Sequence, residues 1–259
     1  MKTIVLALSI GIFAYGCSSD PSPGSAEEQE EIIDNLVQAG FPANDILVSD
    51  GVVYVGRDAA VSLVASREML EVDSSEEEQY RTNNLVGGNV GTICVEGGEL
   101  GGFSSKFNDA LNGAIDNYNQ LGLSFGVQRI DGDGSGCDAI IDGNVVGGTG
   151  GSAGFPSGGF PFGAINIGSG LEQFSTGTVE HVITHELGHC VGMRHSDFFD
   201  RSISCGSGGN EGDGGVGAIH IPGTPTGAEV GGSLMNSCFR SGESGDFTGS
   251  DVTALQTLY

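Results

Sequence analysis

The sequence predicts an α+β fold, and three observations carry that prediction. Apolar residues recur at helical spacing in two long stretches, 104–122 and 178–191. Between and around them lie short β-rich runs, Leu123–Ile130, Asp138–Ile141 and Ala164–Ile167, separated by Gly-rich turns. Glycine is confined to the same region: only 6 of 47 glycines precede position 87. The expected architecture is a twisted mixed sheet with two main helices, a C-terminal subdomain closed by a further helix, and a small unit in front.

Taken from the N-terminus, residues 1–16 carry Lys2 and then an apolar run from Ile4 to Tyr15. That run is shorter than the roughly 20 residues that cross a bilayer, so it reads as a signal peptide. It ends Ala14-Tyr15-Gly16-Cys17, followed by Ser18-Ser19-Asp20, which resembles a bacterial lipobox with Cys17 as the acylated first residue. Ala14 and Tyr15 depart from the usual lipobox pattern, and a plain secretory signal cut elsewhere is the alternative. Residues 17–31, rich in Ser, Pro and Glu, then form an acidic tether, and a lipid on Cys17 is the expected membrane link.

Residues 32–86 read as a pro-segment-like unit. Ile32, Ile33, Leu36 and Val37 suggest a short helix, and Val52–Val55 a strand. The net charge of -25 divides as -12 in residues 18–86 and -14 in 87–259, so no single acidic tail explains it, and it argues against a nucleic-acid partner. Apart from Cys17 there are five cysteines, which suits an oxidising compartment but leaves the connectivity open. Cys190 with Cys205 and Cys94 with Cys137 are the preferred pairs.

In the third unit, residues 87–259, Phe107, Leu111, Ile115, Tyr118 and Leu121 give an amphipathic helix. The second helix, Thr178–Val191, has Thr176 or Thr178 as candidate N-cap and contains the specific signal of the chain. His185-Glu186-Leu187-Gly188-His189-Cys190-Val191-Gly192-Met193-Arg194-His195 fits H-E-x-x-H-x-x-G-x-x-H at all five fixed positions. Chance would supply this roughly once in ten thousand such chains. His185 and His189 are i and i+4, so both imidazoles leave one helix face and can share a tetrahedral Zn2+. Gly192 ends the helix by taking a left-handed conformation, and the turn returns His195 to the metal. Three His ligands leave one position for water, and Glu186 is placed as the general base that activates it for attack on a peptide carbonyl.

This motif resembles that of the metzincin zinc peptidases, and the resemblance continues downstream. Ser233-Leu234-Met235-Asn236-Ser237 resembles the methionine turn of that clan, which implies that Met235 supports the zinc site from beneath without ligating it. Ser196, directly after the third His, matches matrix metalloproteinases, and residues 247–259 resemble their closing helix. Astacins and serralysins place a Tyr two residues after the Met, where this chain has Ser237. The group it resembles most is the bacterial dual-action HEIGH metallopeptidases, related to myxobacterial protease B, on His185–His189, Arg194–Asp197, Ile219–Pro225 and Leu234–Asn236. Leu187 stands where that group has Ile. The resemblance implies a zinc endopeptidase acting on proteins or peptides, with residues 147–163 as the loop and edge strand over a cleft where substrate adds as a strand. Astacin pro-segments offer the zinc an Asp from Phe-x-Gly-Asp, of which Val55-Gly56-Arg57-Asp58 is a distant echo, so Asp58 is the expected latency ligand.

Two weaker signals remain. Asp131, Asp133, Ser135 and Asp142 have the spacing of a Ca2+ loop, but Asp138 stands where an apolar residue belongs and no helices flank the run, so a solvated turn between strands is the preferred reading. His181, one turn before His185, and His220 are expected to be structural. The rival reading of the whole is a surface-tethered binding module that keeps the fold without turnover; an intact Glu186 argues against it. Zinc held structurally, with Cys190 or Asp197 as fourth ligand, is disfavoured because Cys190 points about 100° away from His189 on the helix.

Overall fold

In the computed structural model the described residues are 24–70, 79–97, 102–130, 134–212, 218–225 and 227–259. Cys17, Asp131 and Asp133, and with them the lipid anchor and half of the calcium loop, lie outside them. The elements run in the order α1 (Ala26–Gln38), β1 (Leu47–Ser49), β2 (Val52–Val55), β3 (Ala59–Ala60), α2 (Leu63–Glu68), β4 (Tyr80–Arg81), β5 (Thr92–Glu96) and α3 (Ser105–Asn119). Then follow β6 (Gly126–Ile130), β7 (Ala139–Val146), β8 (Gly151–Gly154), β9 (Ala164–Gly168), α4 (Thr176–Cys190), α5 (Ser202–Cys205), β10 (Ile219–His220) and α6 (Gly249–Leu258).

Eight strands form one mixed sheet in the order β1-β2-β3-β8-β9-β7-β5-β6. β5, β6, β7 and β9 are mutually parallel, while β8 runs antiparallel to β9. The N-terminal unit adds its strands to this sheet. β3 pairs parallel with β8, Ala59 opposite Ala153 and Ala60 opposite Gly154, so β1, β2 and β3 extend the sheet past its antiparallel edge.

α3 forms where the periodicity placed it. Ser104 caps it by accepting from the Phe107 N–H, and Phe107, Leu111, Ile115 and Tyr118 are buried on one face. α4 is buried on nearly every side, between the sheet, α3 and the C-terminal part, and Ser175 caps it in place of the expected Thr176 or Thr178. The start of α1 also differs. Ser25 and Glu28 close a capping box, so the helix takes in residues 26–31 that composition assigned to the tether.

Two disulfides are present, Cys94–Cys137 as expected and Cys205–Cys238 in place of the Cys190–Cys205 pair. The physical reason is the direction of α4. Cys190 faces the sheet, where its buried thiol donates to the Ala164 carbonyl of β9, whereas Cys205 and Cys238 bond to each other. Among the described residues no helix is long and apolar enough to cross a membrane.

Candidate active site

α4 presents His185, Glu186 and His189 together, and each is buried. At its end Gly192 takes φ +101°, and a Cβ there would lie 2.5 Å from the Asn84 carbonyl oxygen. Only glycine fits that close approach in a left-handed turn. The turn brings His195 back beside the helix, with its ring centroid 5.2 Å from that of His185 and 4.9 Å from that of His189.

Each imidazole is oriented by a hydrogen bond from Nδ1. His185 donates to the Leu234 carbonyl at 2.9 Å, His189 to the Met193 carbonyl at 2.8 Å, and His195 to Glu211 Oε1 at 2.7 Å. All three Nε2 atoms therefore turn inward, which is the arrangement that metal-ligating histidines need. Asp58, just before β3, completes the group: its carboxylate and the three imidazoles offer four ligand atoms within 4.8 Å of one another. A tetrahedral ion with bonds of about 2.0–2.1 Å needs its ligand atoms about 3.3 Å apart. His185 Nε2 to His195 Nε2 and His195 Nε2 to Asp58 Oδ2 are both 3.3 Å, and His189 Nε2 to Asp58 Oδ1 is 3.9 Å. His189 Nε2, Asp58 Oδ1 and Glu186 Oε2 are buried with no hydrogen-bond partner. Unpaired buried acceptors converging on one point are what a cation satisfies, so these residues fit zinc.

At two of the three rings the electrostatics suit a metal ligand. Burial first, and then the neighbouring imidazoles, lower the pKa of His185 and His189 to about 3, keeping both neutral as ligands require. For His195 burial opposes the cation, but Asp58 and Glu211 outweigh it and push its pKa well up. Burial and then Asp58 push the Glu186 carboxyl well above the usual carboxylate range. Its side chain lies against the start of β8, where a Cβ on Gly151 would come within 2.2 Å of Glu186 Oε1.

Met235 sits beneath the helix, and a Cβ on Gly188 would meet its Sδ at 2.6 Å. The turn around it is clamped by the buried Asp251 of α6, which accepts from Ser233 Oγ and from the Leu234 N–H that precedes Met235. Asp197 is no part of the ligand group. Its carboxylate accepts from Ser204 and Ser237, tying together the segments that carry Cys205 and Cys238. Asp142 lies in the β7 ladder opposite Ala164, and Ser135 is exposed in a turn. His220 bonds Thr224, and His181 is buried with its Nδ1 donating to the Ser244 carbonyl at 3.1 Å.

Sequence reasoning missed Glu211. It lies in a Gly-rich run with no periodicity, and the signal that could have found it is chemical: a ligand His requires an acceptor for its second nitrogen. Glu211 is almost fully buried between His195, Arg194 Nη2 at 3.3 Å and Arg201 Nη1 at 3.5 Å. Burial raises its pKa, but His195, Arg194 and Arg201 together outweigh that and hold it at about 2. The N-terminal unit reaches this same cluster. Arg201 donates to the Gly56 carbonyl at 2.6 Å, and the Arg194 guanidinium lies 4.9 Å from the Phe41 ring centre.

The sequence matches the model of the dual-action HEIGH metallo-peptidase family over residues 53–259. The chain belongs to that family. The matched span starts within β2 and so covers Asp58 and β3 as well as the zinc motif. Zinc, metallopeptidase activity and protein or peptide substrates come with this dual-action HEIGH metallo-peptidase assignment. No curated protein sequence matches the chain. Among solved structures, myroilysin is 13% identical, with 70% of this chain and 98% of that one covered at a TM-score of 0.39. High choriolytic enzyme 1, a hatching enzyme zinc-protease from Oryzias latipes (Medaka fish), is 17% identical, with 68% and 92% covered at a TM-score of 0.43.

Proposed function

We propose that this family member is an extracytoplasmic zinc endopeptidase, made with an N-terminal signal and anchored through Cys17, whose own N-terminal unit keeps it latent. The observation that carries the reading is the convergence of His185, His189, His195 and Asp58 on one point with Glu186 alongside. His185, His189 and His195 would hold zinc there, and a bound zinc would supply Lewis acidity for a peptide carbonyl and for the attacking water. Glu186, its proton affinity raised by burial, accepts a proton from that water and passes it to the leaving amine. Glu211, Leu234 and Met193 hold the three rings in the tautomer that ligates. The position two after Met235 has no phenol to stabilise an oxyanion, since Ser237 is committed to Asp197, so backbone donors share that task with the metal. Two disulfides favour an oxidising compartment.

Latency follows from two contacts of one short segment. Asp58 would offer its carboxylate to the metal in place of water, and β3 covers the β8 edge along which an extended substrate would pair. The Asp58 carbonyl also accepts from the Ala153 N–H at 3.1 Å, fixing the carboxylate in register with that edge. The test is casein hydrolysis by the chain from Cys17 onward, by its Glu186→Ala variant and by its Asp58→Ala variant, with and without chelator. Glu186→Ala and chelator are expected to abolish cleavage, while Asp58→Ala raises the activity of unprocessed protein at least tenfold. Equal cleavage by the Glu186→Ala protein defeats the mechanism, and unchanged activity of Asp58→Ala defeats the latency.

A further inference from the structure

We infer that the pocket beside the metal-binding cluster selects substrates whose residue flanking the cleaved bond ends in hydrogen-bond donors, and that His181 does the selecting. The inference rests on the peptidase reading above. The pocket has a volume of about 240 Å³, room for one long side chain, and its walls include Gly150, Gly151, His181, Val182, Cys238 and Phe239 alongside His185 and Glu186. Of the other polar groups in the wall, Asn236 and Ser237 are bonded to Ser196 and Asp197, so a polar atom left unpaired there decides orientation. His181 stands one helical turn before His185 and is buried to 6% exposure. Its Nδ1–H is spent on the Ser244 carbonyl, so Nε2 is the ring atom left to accept a hydrogen bond. That Nε2 is buried and makes no hydrogen bond, and Glu243 Oε2, at 3.8 Å, lies beyond reach.

A buried acceptor without a partner is unfavourable until a ligand brings it a donor. Lysine, arginine, glutamine and tyrosine bring one on a long stem that also covers Val182 and Phe239. Leucine leaves Nε2 unpaired, and glutamate adds a further carboxylate to a pocket lined by Glu186, with Glu243 only 3.8 Å from His181 Nε2, in a chain of net charge -25.

The experiment offers the Asp58→Ala chain four peptides that differ only in the flanking residue, Lys, Gln, Leu or Glu. Lys and Gln are expected to be cleaved about tenfold more efficiently in kcat/KM than Leu and Glu, the size of effect one buried hydrogen bond supplies. His181→Leu should reverse the order in favour of Leu. His181→Gln, which keeps both a donor and an acceptor, should retain it and guards against a folding defect in the first variant. A best substrate with Leu or Glu, or an unchanged ranking in His181→Leu, overturns the inference. The same peptides, labelled and bound to an Asp58→Ala chain that also carries Glu186→Gln, give Kd values without turnover. The ranking seen in Kd, with no cleavage of any peptide by the Asp58→Ala chain that keeps Glu186, upholds the pocket and defeats the peptidase reading. Equal Kd for all four defeats the pocket.

Discussion

Replacing Glu211 by Gln is the sharpest test of how the site is held. The substitution keeps the shape and leaves an acceptor for His195, but it removes the carboxylate that His195, Arg194 and Arg201 share at 2.7, 3.3 and 3.5 Å. Both guanidiniums are buried, to 1% and 5% exposure, so neither can turn to water. Breaking a buried pair from one side costs about 3–5 kcal/mol. For a domain of this size that corresponds to a fall of roughly 6–20 °C in Tm. Losing the carboxylate behind a ligand imidazole lowers metal affinity by about 10–100-fold. The two effects are read separately, by thermal unfolding of metal-free protein and by zinc competition against a chromophoric chelator. Glu172→Gln is the control, since its pair with Lys106 spans 3.8 Å at the surface and should change stability by less than about 1 kcal/mol. Unchanged zinc affinity and unfolding in Glu211→Gln would refute the role of Glu211.

Gly192→Ala should destabilise the protein by about 1–3 kcal/mol and weaken zinc binding, because its methyl must displace the Asn84 carbonyl from a left-handed turn; wild-type zinc affinity would show that the turn does not position His195. Alkylation of the denatured, unreduced protein should label Cys190 alone among the cysteines from Cys94 to Cys238, and labelling of the native protein should be negligible. A labelled Cys205 or Cys238 would contradict the pairing described here. Replacing both Cys205 and Cys238 by Ser should cost about 3–4 kcal/mol in the loop-entropy picture for a separation of 33 residues, measured by urea unfolding.

What was legible in the sequence is what local geometry dictates. The helix period places His185 and His189 on one face, a glycine without Cβ makes the turn at 192, and one buried face sets α3. The turn around Met235 was legible only through resemblance, because its clamp, Asp251, comes from a helix further along the chain. What stayed hidden depends on contacts between distant segments. Nothing local tells Ala59 and Ala60 to pair with β8, since two alanines carry no strand signal, and their pairing follows once Asp58 reaches the histidines. Cys190 looked available for Cys205 because sequence proximity ignores the direction in which α4 points it. The early start of α1 was readable from Ser25 and Glu28, but acidic composition masked the capping box.

The N-terminal unit has a core of its own, and Phe155, from the segment after β8, is buried in it. The same ring stands edge-on to His189, with the centroids 5.7 Å apart. Removing the unit to open the cleft would therefore strip the cover from an aromatic wall of the site and from Arg194 and Arg201 behind it. If the unit is released as proposed, the freed enzyme would start its working life less stable than its precursor, with a half-life set by how long the bared wall holds His189 in place.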